Sequence, residues 1–219
     1  MRFSLNTTIV EPEQNNKIHN AVILFHGYGG DGKDISILTQ NWKRFLPNTI
    51  FLCPDGHEQC SINPSGFQWF DLSNDDKQYI IEQFLKAEKV IWKFIKEVKE
   101  FYKLNNSQIC LSGFSQGCMM SINLGLTADE NFNSVIGFSG KIIDKNHLSK
   151  RISSSTKMLL FHGDKDEIVS PSYLLDAKDF LLRNKIDVEI NMINDCDHHI
   201  PIKASSIALN YLKKNFSNQ

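Results

Sequence analysis

The sequence feature that most constrains the fold is an alternation of short β-rich runs with longer segments of helical period. Such an alternation predicts a mainly parallel central sheet with helices on both faces. Several of the runs are apolar throughout, so we expect strands that are covered on both sides. The predicted strands are Thr7 to Val10, Ala21 to His26, Thr49 to Cys53, Gln108 to Ser112, Ser134 to Phe138, Lys157 to His162 and Val188 to Ile193.

The clearest predicted helix lies between Asp75 and Tyr102, where apolar residues recur every three or four positions. Ser73, followed by Asp76, resembles a capping box at its start. Further helices are predicted at Asp34 to Phe45, Ser115 to Leu126, Ser172 to Asn184 and Pro201 to Asn215. No linker or repeat interrupts the pattern, so residues 1–219 are predicted to form a single domain. The chain between Phe138 and Lys157 is too short for a large cap domain.

Charge and hydropathy exclude several classes of function. Lys and Arg total 24 against 25 Asp and Glu, so there is no cationic surplus to attract nucleic acid. The longest apolar runs, such as Ala21 to Phe25, are far shorter than the roughly 20 residues that cross a bilayer, so no integral membrane association is expected. The first residues lack an apolar signal segment, and we therefore expect a cytoplasmic protein.

A G-x-S-x-G motif, Gly113 to Gly117, lies between a predicted strand and a predicted apolar helix. The glycines remove Cβ atoms that would collide in a tight strand-to-helix turn, so the Ser115 backbone can adopt a strained conformation. The hydroxyl would then project over the sheet beside a helix N-terminus, which favours a developing oxyanion. The motif predicts a nucleophilic serine; a glycine-rich turn with an idle serine is the alternative.

A serine nucleophile needs a neighbouring base and a third group that orients the base. Asp164 and Asp166 follow one predicted strand, and His198 and His199 follow the last one. The order Ser, Asp, His is the one that α/β-hydrolases use. Residue type and position alone leave two candidates for the acid and two for the base.

An oxyanion hole needs backbone N–H donors aimed at the substrate carbonyl oxygen. The amide of Gln116, the residue after the serine, is one predicted donor, and the amide of Tyr28 in the glycine-rich segment after the second strand is the other. No G-K-[ST] follows that segment, which disfavours a phosphate-binding loop. His26 is predicted to support this loop rather than to act as a base.

Metal binding by the segment from Asp195 to His199 is a less favoured alternative, because adjacent histidines rarely point at one ion and no second cluster completes a shell. We predict no metal and no organic cofactor. The five cysteines contain no C-x-x-C pair, so we expect free thiols, mostly buried.

Together these segments resemble the phospholipase/carboxylesterase family of α/β-hydrolases, which includes bacterial carboxylesterases and eukaryotic acyl-protein thioesterases. The similarity runs nearly end to end. It rests on Leu24 to Gly29, Trp69 to Asp71, Gly113 to Gly117, His162 to Val169, and a late histidine before a terminal helix.

The resemblance implies an α/β-hydrolase fold in which Asp166 is the acid and His198 is the base of the triad. It also implies that Trp69, Phe70 and Ile168 surround the acyl pocket; ordinary core packing is an equal alternative for these three.

This chain departs from the family at a few positions. Relatives often carry glycine where this chain has Cys118 and Asp197, which are local packing changes that leave the triad intact. Relatives also tend to carry an aromatic residue near Lys141, and its loss leaves the acyl-chain preference open. One hypothesis is that Lys141 favours substrates with an anionic group.

The predicted function is hydrolysis of small-molecule or lipid-derived carboxylic esters or thioesters through an acyl-enzyme intermediate on Ser115. A shallow, open groove predicts a preference for short or medium acyl chains. A peptidase or amide hydrolase with the same triad, and a non-catalytic binding protein on the same fold, are the alternatives. The formation of a homodimer stays open.

Overall fold

The computed structural model describes residues 2–12 and 16–217. The strands, in chain order, are β1 (Thr7–Val10), β2 (Asn20–Phe25), β3 (Thr49–Pro54), β4 (Glu58–Gln59), β5 (Phe67–Gln68), β6 (Ile109–Phe114), β7 (Ser134–Phe138), β8 (Met158–Gly163) and β9 (Val188–Ile193). Seven of them form one sheet in the order β1-β3-β2-β6-β7-β8-β9, and β4 and β5 form a separate hairpin. In the large sheet β1 runs antiparallel to β3, and all other neighbours are parallel. The predicted mainly parallel sheet is confirmed.

Helices cover both faces of this sheet. They are α1 (Gly32–Ser36), α2 (Thr39–Trp42), α3 (Lys77–Tyr102), α4 (Gln116–Leu126), α5 (Lys145–Ser149), α6 (Ser172–Arg183) and α7 (Ile202–Phe216). The apolar side chains of α3, α4 and α6 pack on one face, and those of α1, α2 and α7 pack on the other. Ala21 and Ile23 of β2 point to the first layer and Val22 and Leu24 to the second, all fully buried. The prediction of strands covered on both sides is therefore confirmed.

The predicted continuous helix from Asp34 to Phe45 is wrong, because it is divided into α1 and α2. At the break, the N–H groups of Ile37 and Leu38 donate to carbonyls three residues earlier, which is the tighter 3-10 pattern. The hydroxyls of Ser36 and Thr39 also donate to carbonyls three residues earlier. Side-chain hydroxyls that compete for backbone carbonyls weaken a helix in its interior.

The capping box predicted at the start of α3 is also wrong. Asp76 is itself the N-cap, and its carboxylate accepts a hydrogen bond from the Tyr79 N–H at 2.7 Å. Ser73 instead donates its N–H and its hydroxyl to Asp71, at 2.9 and 2.6 Å, which keeps it outside the helix. Asp71 also accepts from the Tyr79 hydroxyl, so the end of the loop is fixed onto the first turn of α3.

The connections that follow β3 and β7 differ in secondary structure. Residues 55–76, between β3 and α3, hold the β4–β5 hairpin, which was not predicted from the sequence. Residues 139–157, between β7 and β8, hold only the five-residue α5, capped by the Asp144 side chain. That segment therefore forms no large cap over the carboxyl ends of the strands. Among the described helices, none combines the length and the apolar character that a bilayer span requires.

Candidate active site

The turn between β6 and α4 holds Ser115 in a strained backbone conformation, with φ of 51°. Its N–H donates to the Phe138 carbonyl at 2.8 Å, which fixes the turn to the neighbouring strand. A Cβ atom added to Gly113 would lie 2.3 Å from the Gly117 carbonyl carbon, and one added to Gly117 would lie 2.1 Å from the Phe25 oxygen. Both glycines are required by close backbone contacts, so the predicted tight strand-to-helix turn is confirmed.

Three residues that are distant in the sequence meet above this turn. The Ser115 hydroxyl donates to His198 Nε2 at 3.0 Å, and His198 Nδ1–H donates to Asp166 Oδ2 at 2.7 Å. The Asp166 side chain is fully buried and that of His198 is 17% exposed. Because the carboxylate holds the proton on Nδ1, Nε2 is left as the acceptor that faces the serine.

The Asp166 carboxylate is held by three donors. Its Oδ1 accepts hydrogen bonds from the backbone N–H groups of Ile168, at 3.0 Å, and Val169, at 2.8 Å, while Oδ2 faces His198. Burial by itself raises the pKa of this carboxyl, but the hydrogen bonds from His198 and the two amides outweigh burial and lower the pKa below its usual value. Asp166 is therefore a buried anion beside the imidazole.

The loops after β8 and β9 are joined by backbone hydrogen bonds, which bring the acid and the imidazole together. Asp164 N–H donates to the Ile193 carbonyl at 3.0 Å, and Lys165 N–H donates to the Cys196 carbonyl at 2.9 Å. A Cβ atom on Gly163 would lie 2.2 Å from that same Cys196 oxygen. The close approach of the two loops thus depends on glycine at position 163.

The sequence left two candidates for the acid and two for the base, and the structure places the members of each pair differently. The Asp164 carboxylate accepts from the Cys196 N–H at 3.3 Å, away from the imidazole, and His199 contacts Asp197 at the surface. The structure therefore brings Asp166 and His198 to Ser115, and not their sequence neighbours. Within the described residues, no group of three or more His, Cys, Asp or Glu side chains is arranged to hold a metal ion. All five cysteines are free and buried, as predicted.

The glycine-rich loop after β2 lies beside the serine. A Cβ atom on Gly27 would be 3.4 Å from Ser115 Cβ. The backbone N–H groups of Tyr28 and Gln116 donate to no described residue. His26 supports the loop: its Nδ1–H donates to the Gly27 carbonyl at 2.7 Å, and its Nε2 accepts from a backbone amide of residue 56 at 2.8 Å. Burial lowers the pKa of His26, so this ring is neutral and structural, as predicted.

The three residues expected around the acyl pocket lie in two environments. Trp69 and Phe70 have no accessible surface and belong to the core, where Phe70 packs edge-on against Phe84 at 5.3 Å between ring centroids. These two side chains therefore present no surface to solvent, in agreement with the alternative of ordinary core packing. Ile168, by contrast, is 75% exposed beside the Asp166 loop.

One residue near the triad was not identified from the sequence. His162 Nε2–H donates to the Val169 carbonyl at 2.8 Å and also lies 3.2 Å from Asp166 Oδ2. Burial lowers the pKa of His162, which therefore supports the acid as a neutral ring. The available signal was its position at the end of a predicted strand, immediately before the Gly163-Asp164 pair.

Comparison with known proteins identifies the family. A family model described as phospholipase/carboxylesterase matches residues 5–216. The chain belongs to the phospholipase/carboxylesterase family. Among curated relatives, esterase YpfH of Escherichia coli (strain K12) is 26% identical over 199 residues, covering 88% of this chain and 81% of the relative. Acyl-protein thioesterase 1 of Yarrowia lipolytica is 26% identical over 216 residues, covering 90% and 92%.

Solved structures of similar fold agree with that assignment. Esterase PE8 superposes with a TM-score of 0.91 at 30% identity, covering 96% of this chain and 98% of that chain. The Bacillus cereus carboxylesterase superposes with a TM-score of 0.80 at 16% identity, covering 97% and 95%, a likeness that shows the fold alone. The resemblance stated from the sequence and the predicted α/β-hydrolase fold are confirmed, and the predicted class of carboxylic ester hydrolase agrees with the family.

Proposed function

We propose that this chain hydrolyses carboxylic esters or thioesters through an acyl-enzyme intermediate on Ser115. The observation that carries the proposal is the line of hydrogen bonds from the Ser115 hydroxyl through His198 to Asp166, at 3.0 and 2.7 Å. A serine hydroxyl alone is a weak nucleophile, and this arrangement supplies both the base and the group that orients it. Membership in the phospholipase/carboxylesterase family supports the substrate class.

The reaction has two steps. In the first, Ser115 Oγ attacks the acyl carbonyl while His198 Nε2 takes the hydroxyl proton, and Asp166 stabilises the resulting imidazolium. The negative oxygen of the tetrahedral intermediate accepts hydrogen bonds from the amides of Tyr28 and Gln116. The imidazolium then protonates the leaving alcohol or thiol. In the second step His198 deprotonates water, which attacks the acyl-enzyme, and the proton returns to Ser115 as the acid departs.

The proposed substrates are small-molecule or lipid-derived esters and thioesters with short or medium acyl groups. Relatives named as an esterase and as an acyl-protein thioesterase support both bond types. The short connection at residues 139–157 supports an open groove. Ile168, exposed beside the acid loop, is the proposed contact for the acyl group. A cytoplasmic location stays a prediction.

The test compares wild-type protein with Ser115→Ala. We expect wild type to hydrolyse matched nitrophenyl esters and thioesters faster than the corresponding anilides, and short chains faster than long ones. Ser115→Ala is expected to lower kcat by about 10⁶-fold and to lose covalent labelling by a fluorophosphonate probe. Normal turnover by Ser115→Ala would refute the role of this serine. Faster anilide cleavage would indicate an amide hydrolase, and an unlabelled, inactive wild type would indicate a binding protein.

A further inference from the structure

Trp69 lies between the two segments that carry the proposed oxyanion donors. Its indole Nε1–H donates to the His26 carbonyl at 2.9 Å, and its backbone N–H donates to the side-chain Oε1 of Gln116 at 2.8 Å. His26 precedes the Tyr28 amide by two residues, and Gln116 carries the other amide. A single residue is therefore hydrogen-bonded to both segments.

The two hydrogen bonds are sealed from solvent. Trp69 has no accessible surface, and His26 and Gln116 are each 1% exposed. Water cannot replace a lost partner at such a site without rearrangement of the core. The Gln116 Nε2 also donates to the Phe70 carbonyl at 2.6 Å, so both ends of its amide are occupied and the group cannot flip without placing donor against donor. The spacing between the segments is thus fixed by directed contacts.

The hairpin extends this connection along the glycine-rich loop. Gly29 N–H donates to the Phe67 carbonyl at 2.9 Å, and Phe67 N–H donates to the Gly30 carbonyl at 2.8 Å. Phe67 precedes Trp69 by two residues, so the loop on either side of Tyr28 is bonded to one short stretch of chain. A displacement of Trp69 would therefore move the Tyr28 amide relative to the serine turn.

We propose that Trp69 is a positioning residue that sets the distance between the Tyr28 and Gln116 amides. This inference rests on the proposed function, because it assigns the two amides to the oxyanion. Trp69 touches no substrate, since its side chain is fully buried. Donors of this kind act on charge that develops in the transition state, so a small displacement lowers kcat and leaves KM nearly unchanged.

The experiment uses two variants, each of which removes one of the two bonds and retains most of the side-chain bulk. Trp69→Phe removes the indole N–H, and Gln116→Met removes the acceptor for the Trp69 amide. Each is expected to lower kcat roughly 10- to 100-fold, with KM within about twofold. Affinity for a trifluoromethyl ketone analogue of the substrate is expected to fall by the same factor as kcat/KM. In the double variant, the fold reduction in kcat is expected to be smaller than the product of the two single reductions. Both substitutions change the same distance, the one between the Tyr28 and Gln116 amides.

The matched control is Phe84→Leu, which reduces packing against Phe70 and touches neither hydrogen bond. Rates are expressed per active site, counted by exhaustive fluorophosphonate titration. The control is expected to lower Tm and to leave kcat and analogue affinity unchanged. If Trp69→Phe behaves like this control, or raises KM at unchanged kcat, the positioning role is refuted. If wild type does not hydrolyse esters, or Ser115→Ala does, the proposed function fails and the inference fails with it.

Discussion

The proposed proton-transfer side of this site and its proposed oxyanion side are built in different ways. The first consists of the side chains of Ser115, Asp166 and His198, held on turns that follow β6, β8 and β9. The second consists of two backbone amides, held by contacts from the β3–α3 connection. Only a few residue types can transfer a proton, whereas every residue except proline has an N–H group. The residues of the proton-transfer side can therefore be recognised by residue type. The amides of the oxyanion side are positioned by tertiary contacts, which residue type does not reveal.

The two sides also differ in charge. Asp166 is a buried anion whose pKa is lowered by its hydrogen bonds, and in the proposed reaction its partner His198 gains and loses a proton in each cycle. The oxyanion side presents neutral dipoles on a loop supported by the neutral His26. Substitutions on the proton-transfer side should therefore alter how kcat depends on pH. Substitutions on the oxyanion side should lower kcat by the same factor at every pH.

The largest effect in this comparison is expected for Asp166→Asn. The carboxamide can donate to His198 Nδ1, which would place the ring proton on Nε2 and prevent it from accepting the serine proton. We expect kcat to fall about 10⁴-fold and to recover partly at high pH, measured as a pH–rate profile. Asp164→Asn, which makes the same charge change two residues away, is expected to stay within about threefold of wild type. Equal losses in the two variants would contradict the choice of acid.

A smaller effect is expected from Gly27→Ala, on the oxyanion side. The new Cβ would lie 3.0 Å from Phe114 Cδ1 and 3.4 Å from Ser115 Cβ, so the loop must shift by a few tenths of an ångström. We expect kcat to fall roughly 10-fold, with the shape of the pH–rate profile unchanged. Gly30→Ala, whose Cβ meets nothing closer than 3.4 Å, is the control. A profile that changes shape would mean that the two sides are not separable.

The buried histidines on the two sides predict how stability depends on pH. Burial lowers the pKa of both His26 and His162, so below about pH 6.5 the unfolded chain binds protons that the folded chain does not. The free energy of unfolding should therefore fall as the pH drops below this value, by at most about 1.4 kcal/mol per pH unit for each ring. Urea unfolding between pH 7.5 and 5 measures this slope. Stability that is constant over that range would contradict neutral rings at both positions.

The difference between the two sides of the site also explains which features could be predicted from the sequence. Gly113 and Gly117 lie two residues before and two residues after Ser115, so local chain geometry was enough to predict the tight turn. The choice of Asp166 over Asp164 was not accessible from spacing, since both follow β8 closely. It depends on which carboxylate meets the β9 loop, a contact between segments about 30 residues apart.

The β3–α3 connection was predicted least well, for a related reason. Its hairpin strands have two residues each, too few for an alternating pattern to be visible. Trp69 is a large aromatic residue that follows a stretch rich in Gly, Pro and Ser, so its sequence context fits a pocket wall and a core residue equally well. Its burial and its bonds to His26 and Gln116 depend on distant strands. Residues of this kind are identified only when the fold is known.

The smallest expected effect concerns Lys141, which belongs to neither side. Lys141 follows Gly140, whose backbone lies close to the serine turn: a Cβ atom added to Gly140 would be 3.2 Å from the Ser115 backbone carbonyl oxygen. The Lys141 ammonium lies 5.1 Å from the centre of the Tyr173 ring. No carboxylate among the described residues pairs with it, whereas Lys145 pairs with Asp176 at 3.0 Å. We propose that this ammonium, which is not paired with a carboxylate in the described part of the chain, favours an acyl group that carries a carboxylate.

For Lys141→Ala we expect the ratio of kcat/KM for a succinate monoester to that for the matched neutral butyrate ester to fall about threefold to fivefold. A partly exposed charge contributes at most about 1 kcal/mol, and added salt should shrink the difference between the variant and wild type. Lys145→Ala removes a cation that is already paired and should leave the ratio unchanged. An unaltered ratio in Lys141→Ala would remove Lys141 from substrate selection and leave the two sides of the site to account for the whole reaction.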